Sequence, residues 1–170
     1  MLLPRFGLAA IMAALCLLAQ VSCASAETIT SAEQQTILSL HNGYRAQHCV
    51  APLTWSAELA AAAQRYAEKC WIAHDSSKGK VSENLAWGGD RTADSAVDAW
   101  YKEIGDYNYG KPGFASATGH FTQMVWKGTK QIGCGVAKCY FGAIRFWVCR
   151  YTPQGNWAGQ FPQNVPPRCK

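Results

Sequence analysis

Residues 119–157 carry the most informative pattern in the chain, GHFTQMVWKGTKQIGCGVAKC and then, six residues later, FWVCRYTPQGNW. The first string opens with a histidine in a short helical pattern, which predicts a helix that ends near Trp126. Two β-rich runs follow at 131–138 and 143–151, joined by a turn near Phe141-Gly142. The stretch therefore predicts a short helix followed by a β-hairpin.

The region before this stretch predicts a long first helix. Two overlapping capping boxes, Thr30-x-x-Glu33 and Ser31-x-x-Gln34, can satisfy the free N–H groups at its start. Apolar residues then recur at helical spacing over 33–47. We expect this helix to pack its apolar stripe against the hairpin.

Further hydroxyl residues are placed to cap three more helices. Ser56 precedes an alanine-rich face that allows close packing, Thr92 precedes a third apolar stripe, and Thr118 can cap the short helix. The loop 105–117 has neither helical nor strand period, and the proline-rich tail after Trp157 predicts an irregular extension. Helices that flank a hairpin-based sheet make α+β the predicted fold class.

Residues 1–26 have the features of a secretory signal peptide. Arg5 supplies the positive charge, an apolar run extends from Leu8 to Leu18, and Ala24-Ser25-Ala26 fits a cleavage site. The apolar run is too short to span a membrane. Lipidation at Cys23 is the alternative, but the preceding residues Gln20-Val21-Ser22 match a lipidation box poorly. We therefore expect a secreted chain that starts near Glu27 and has no membrane span.

The charge and cysteine counts narrow the class of protein. Without Arg5, 15 Lys and Arg stand against 11 Asp and Glu, a net charge of +4, and the basic residues are scattered. This favours a solvated surface over a nucleic-acid-binding one. Six cysteines remain after residue 26, an even number that predicts disulfides whose pairing the spacing leaves open: Cys49, Cys70, Cys134, Cys139, Cys149 and Cys169.

Four more strings complete a family pattern. Together with the opening stretch they resemble the signature motifs of the CAP superfamily (cysteine-rich secretory, antigen 5 and pathogenesis-related class 1 proteins), closest to secreted fungal and plant pathogenesis-related members. The strings are HNGYRAQH at 41–48, APLTW at 51–55, AELAAAAQRYAEKC at 57–70 and SENLAWG at 82–88. The resemblance implies a disulfide-stabilised three-layer α-β-α sandwich with a central antiparallel sheet. It places the domain at 27–157 and a Pro-rich extension, stapled by Cys169, at 158–170.

The resemblance also implies a cleft lined by His74, Glu83, Glu103 and His120. Two neutral imidazoles with two carboxylates suit Zn²⁺ or another divalent cation. The protein is expected to fold without this metal. The same four groups also suit general acid–base catalysis. The helix dipole disfavours a charged imidazolium at His120. The alternative is a hydrogen-bonded polar cluster that holds the loops together. Ser82 stands where the family often has glycine, which is expected to alter the backbone beside the cleft and weaken a metal site.

The remaining histidines are expected to have structural or surface roles. The resemblance implies that His41, Asn42 and Arg45 tie the end of the first helix to the core by hydrogen bonds. His48 precedes Cys49 and is expected to lie in a surface loop.

An aromatic string, YNYGKPGF, occupies residues 107–114. It resembles the loop with which secreted fungal members of the family bind sterols, which implies lipid contacts from Tyr107, Tyr109, Pro112 and Phe114. The alternative is that these rings fold back onto the third helix as part of the core.

The sequence predicts a binding protein rather than an enzyme, because it has neither an H-E-x-x-H nor a G-x-S-x-G motif. The predicted ligand is a sterol or similar small lipid, bound outside the cell. Two other classes remain open. One is a metal-dependent hydrolase that uses the His/Glu cleft, and the other is a defence or virulence module whose partner is a host or pathogen protein.

Overall fold

A computed structural model describes residues 27–77 and 79–169, so the predicted signal peptide lies outside the described residues. The main elements follow the predicted order, with a 3₁₀ turn at Glu103–Asp106. They are α1 Ser31–Gln47, β1 Thr54–Trp55, α2 Ala57–Ala67, β2 Ser82–Gly88, α3 Ala93–Lys102, α4 Gly119–Met124, β3 Gln131–Cys139, β4 Ile144–Thr152 and α5 Phe161–Asn164.

The four-stranded sheet has the order β1-β3-β4-β2. The β3–β4 hairpin and β2 are antiparallel, whereas β1 pairs parallel to β3 through Thr54↔Gln131. The sheet is therefore mixed, and the prediction of an antiparallel sheet is wrong in this respect. A strand of two residues is too short to show periodicity, so sequence alone could not reveal its direction.

Helices cover both faces of the sheet, which confirms the three-layer sandwich. On one face α2 packs over a small apolar cluster that includes Tyr66, Phe146 and Val148. On the other face α1, α3 and α4 enclose the larger core, built around residues such as Ile37, Trp100, Phe121, Val136 and Trp147. Among residues 27–77 and 79–169, no helix combines the length and the apolar character that a membrane span requires.

Glycines in β3 allow α2 to approach the sheet closely. A Cβ atom on Gly133 would overlap the backbone of Ala60, and one on Gly135 would overlap the backbone of Gln64. At this short separation the Gln64 side-chain amide donates to Val136 O at 2.9 Å, and its oxygen accepts from Val136 N at 3.0 Å. The alanine face of α2 and the G-C-G run of β3 thus form one close-packed contact.

Three disulfides stabilise the structure: Cys49–Cys169, Cys70–Cys139 and Cys134–Cys149. The first attaches the C-terminal tail to the end of α1. The sequence predicted an irregular tail. This is wrong in part, because residues Phe161–Asn164 form α5. Pro162 lies in its first turn, a position that proline tolerates, and this concealed the helix in a proline-rich composition.

Polar side chains of α1 connect it to distant segments. The His41 ring bonds Tyr151 Oη at 2.9 Å through Nε2, and Asn42 exchanges two hydrogen bonds with the Leu53 backbone. The buried Arg45 guanidinium donates to the backbone carbonyls of Ala51, Met124, Trp126 and Thr129. Thr30 and Glu33 form the predicted capping box, so α1 begins at Ser31.

His48 is buried, so its expected place in a surface loop is wrong. Its Nδ1 lies 2.7 Å from Pro166 O and its Nε2 lies 2.9 Å from Tyr101 Oη. Burial lowers its pKa. The C-terminal tail, held by the Cys49–Cys169 disulfide, folds back over this histidine, and no local pattern could show that.

Candidate metal-binding cleft

The two histidines that the sequence singled out line the same cleft, which has a volume of about 260 Å³. His74 comes from the loop after α2, and His120 comes from the first turn of α4. The full lining is His74, Glu83, Asn84, Phe114, Ser116, Gly119, His120 and Asn156. Glu103, the fourth predicted residue, stands directly behind His120.

Glu103 holds His120 by its ring and by its backbone. One carboxylate oxygen lies 2.6 Å from His120 Nδ1, and the other accepts from the backbone N–H groups of His120 at 2.9 Å and Phe121 at 3.1 Å. The start of a helix leaves N–H groups without partners, and a carboxylate there is favoured by the helix dipole. Glu103 thus does the capping predicted for Thr118, whose hydroxyl instead donates to Ala115 O.

Glu83 holds His74 in a similar way. Its side chain is fully buried, and its Oε1 lies 3.0 Å from His74 Nδ1 and 3.1 Å from the Asp75 backbone N–H. Its Oε2 accepts from Arg150 Nε at 3.3 Å, while Arg150 also pairs with Asp75 at 2.6 Å. The hydrogen bond from the Ser77 hydroxyl and the pair with Arg150 lower the pKa of Asp75 to about 2. The buried ion pair between Glu83 and Arg150 therefore anchors the exposed His74.

Both glutamates use their carboxylate oxygens in these hydrogen bonds, which favours a supporting role for them, and the four-ligand set stays a prediction. Within the described residues, no group of three or more His, Cys, Asp or Glu side chains converges to hold a metal ion. The carboxylates engage Nδ1 of each ring, so Nε2 is the nitrogen that a metal ion would use. Carboxylates behind histidines in this way fix the tautomer and orientation of metal ligands.

Two asparagines support the cleft, and sequence reasoning did not identify them. Asn84 donates to His120 O at 3.1 Å, and Asn156 donates to Gly119 O at 2.9 Å. Asn156 has a positive φ of 59°, which asparagine tolerates better than most residues. Ser82, the departure from the family pattern, accepts a hydrogen bond from Gly155 N at 2.8 Å. The available signal was the place of these residues within SENLAWG and QGNW.

The aromatic loop borders a groove of about 300 Å³ next to this cleft. Tyr107 is buried against Phe121 of α4, with ring centroids 5.6 Å apart, whereas the core alternative expected all the loop rings to fold onto the third helix. Tyr109 stands edge-on to Tyr107 and is 38% exposed, and Phe114 is 65% exposed. Phe114 lines both the groove and the cleft, and Pro112 lines the groove. Tyr107 of this loop thus lies in the core, whereas Tyr109 and Phe114 lie at the surface.

The model of the cysteine-rich secretory protein (CAP) family matches residues 38–151. The chain belongs to this family. Human Golgi-associated plant pathogenesis-related protein 1 is 45% identical over 140 residues, which are 77% of this chain and 90% of the relative. Pathogenesis-related leaf protein 4 of Solanum lycopersicum is 41% identical over 137 residues, 75% of this chain and 82% of the relative.

The CAP fold is also found in solved structures. A crystal structure of NaASP2 with Zn²⁺ superposes with a TM-score of 0.70 and covers 84% of this chain and 88% of that one. At 22% identity this likeness shows the fold alone.

Proposed function

We propose that this CAP protein binds a sterol or a related small lipid in the groove beside the 105–117 loop. The observation that carries the proposal is the hydroxyl of Tyr107. It is buried, and it has no hydrogen-bonding partner within the part of the chain that the structure describes. The backbone N–H of Gly113 is close enough to oppose the rise of its pKa, but the contact does not have the geometry of a hydrogen bond. A buried polar group without a partner is costly, so a ligand hydroxyl placed here would be stabilised.

The groove has the chemistry that a sterol requires. A sterol is rigid and almost wholly apolar, and it has one hydroxyl. Tyr107, Pro112 and Phe114 offer flat apolar surface, and the polar residues Asp106, Asn108, Lys111 and Thr118 also line the groove. Burial raises the pKa of Tyr107 and raises that of Tyr109 to about 12, so both hydroxyls stay protonated at physiological pH. A pocket that combines rings with polar groups able to orient a ligand is typical of small-molecule sites.

The same proposal places a divalent-metal site at His74 and His120. Their rings line one cleft, and each Nδ1 is engaged by a carboxylate, so two imidazole Nε2 atoms can ligate while water completes the shell. Bound metal would act as a Lewis acid there. The protein's own contribution is to orient two rings. We assign no catalytic turnover to this cleft.

The proposed place of action is outside the cell. Six cysteines form three disulfides, which persist in oxidising compartments and are rare in the cytosol. The predicted signal peptide at residues 1–26 agrees with this.

Radiolabelled sterol binding tests the proposal with matched variants. Tyr109→Ala with Phe114→Ala removes exposed ring area and should cost on the order of 2–4 kcal/mol, tens to hundreds of fold in affinity. Tyr107→Phe keeps the ring but removes the hydroxyl, and should weaken binding by about 1 kcal/mol. Trp157→Ala removes an exposed ring that lines neither the groove nor the cleft, so it is the control and should bind as wild type.

The outcomes separate the candidate functions. A double loop variant that binds sterol as well as wild type would show that the loop is not the site. Loss of binding in His74→Ala with His120→Ala, but not in the loop variant, would place the ligand in the cleft. If the wild type itself binds no sterol, a protein-binding module becomes the better hypothesis.

A further inference from the structure

The tip of the β3–β4 hairpin exposes an aromatic cluster that neither the groove nor the cleft uses. We call Trp71, Tyr140 and Phe141 the tip patch. Trp71 is 66% exposed, Tyr140 is 56% exposed, and Phe141 is fully exposed. From the range that one aromatic side chain can bury, this amounts to on the order of 400 Å² of ring surface. Exposed apolar surface of this extent at one end of a monomer is often functional.

Covalent and hydrogen bonds hold the tip patch together. The Cys70–Cys139 disulfide joins the residue before Trp71 to the residue before Tyr140. The Tyr140 hydroxyl donates to Cys70 O at 3.3 Å. The two segments that carry these rings are therefore held next to each other at the end of the sheet.

The turn at the tip has a backbone conformation that its residues do not favour. Tyr140 and Phe141 have φ values of 53° and 57°, and Gly142 N donates to Cys139 O at 3.1 Å. Such turns prefer asparagine followed by glycine, and a bulky residue with positive φ is strained. Phe141 belongs to neither core cluster of the described residues, so no packing inside the fold offsets the strain. Strained residues concentrate at functional sites, which points to a contact outside the fold.

Lysines accompany these rings. Lys69 Nζ lies 5.7 Å from the Trp71 ring centroid, and the exposed Lys138 precedes the turn. The segments 68–71 and 138–142 carry these two lysines and Glu68, a net charge of +1. Residues 27–170 as a whole carry 15 basic and 11 acidic side chains. The tip patch therefore lies beside a small excess of positive charge, which is complementary to an anionic partner.

We propose that the tip patch docks this protein on an anionic lipid surface, with the three rings entering the headgroup region. Tryptophan and tyrosine are enriched at membrane–water interfaces, and lysines beside them can keep their charge in the water. A stable protein partner needs about 800 Å² on each side, roughly twice what this projecting turn offers. This proposal goes beyond sterol binding and does not depend on it.

Vesicle sedimentation with sterol-free lipids tests the inference. The wild type should bind vesicles of phosphatidylcholine that contain about 30 mol% phosphatidylserine, and it should bind vesicles of pure phosphatidylcholine more weakly. Tyr140→Asn with Phe141→Gly suits the backbone of the turn, so the fold should persist while vesicle affinity falls at least about tenfold. Trp157→Ala removes an exposed ring after β4 and should leave binding unchanged.

Two further measurements complete the test. Lys69→Gln with Lys138→Gln should remove the preference for phosphatidylserine, since lysines near an anionic surface supply the electrostatic attraction. Sedimentation velocity then shows whether the tip patch instead contacts a second copy of the chain. Equal vesicle binding by wild type and the Tyr140→Asn, Phe141→Gly variant, or no vesicle binding by wild type, would overturn the proposal. A wild-type dimer that is lost only in the Tyr140→Asn, Phe141→Gly variant would also overturn the proposal.

Discussion

Replacing Glu103 with glutamine tests whether this side chain holds His120 for a metal or serves as a ligand itself. Glutamine has the same shape, but it offers one oxygen and one NH₂ group. In the native protein one oxygen faces His120 Nδ1 and the other accepts from two backbone N–H groups at the start of α4. The amide can therefore accept from the ring or from the helix, but not from both.

The contacts set the expected size of the effect. Hydrogen bonds to a charged group contribute roughly 1.5–3 kcal/mol each, and a partly buried N–H that faces an NH₂ group adds a further cost. We expect Glu103→Gln to lower the free energy of unfolding by about 2–3 kcal/mol. Loss of a carboxylate behind a ligating histidine typically reduces metal affinity about 10- to 100-fold. Asp106→Asn, an exposed carboxylate in the same 3₁₀ turn, is the matched control and should change neither quantity by more than about 0.5 kcal/mol.

Urea unfolding and calorimetric zinc titration measure the two effects. Zinc binding by the wild type should weaken as pH falls, because protons compete for the imidazole nitrogens. His74→Ala with His120→Ala should abolish zinc binding. A Glu103→Gln protein that binds zinc like wild type would refute the positioning role, and one that binds as poorly as the double histidine variant would make Glu103 a ligand. Zinc binding that survives loss of both histidines would place the site elsewhere.

Two stability predictions follow from the core. Gly135→Ala should lower the free energy of unfolding by at least about 2 kcal/mol, because its Cβ would overlap the Gln64 backbone, whereas Gly43→Ala, in open space on α1, should raise it by roughly 0.5–1 kcal/mol. Equal urea midpoints for the two variants would contradict the close α2–β3 contact. Burial lowers the pKa of His41 from 6.5 to about 4, so the unfolded chain binds the extra proton first and about 3 kcal/mol of stability should be lost as pH falls from 6.5 to 4. His41→Asn should flatten this part of the pH profile, and an unchanged slope would show that other groups produce it.

The sequence by itself determined the elements whose signals are local. Apolar spacing and capping residues predicted α1, α2 and α3, because the bonds that define a helix connect residues three and four apart. The β-rich runs predicted the β3–β4 hairpin for a similar reason. The order of family strings then supplied the sandwich and brought His74 and His120 to attention, since motif order reflects a fold that spacing alone cannot specify.

Only the tertiary structure decided what depends on contacts between distant segments. Glu103 caps a helix that starts 16 residues later, and His48 is buried by a tail more than 100 residues away. The carboxylates turned out to stand behind the histidines, because Arg150 and the α4 backbone occupy their oxygens. Tyr107 entered the core while Phe114 stayed exposed. Local periodicity carries no information on which distant backbone groups need a partner, and that need fixes where each polar side chain of the cleft points.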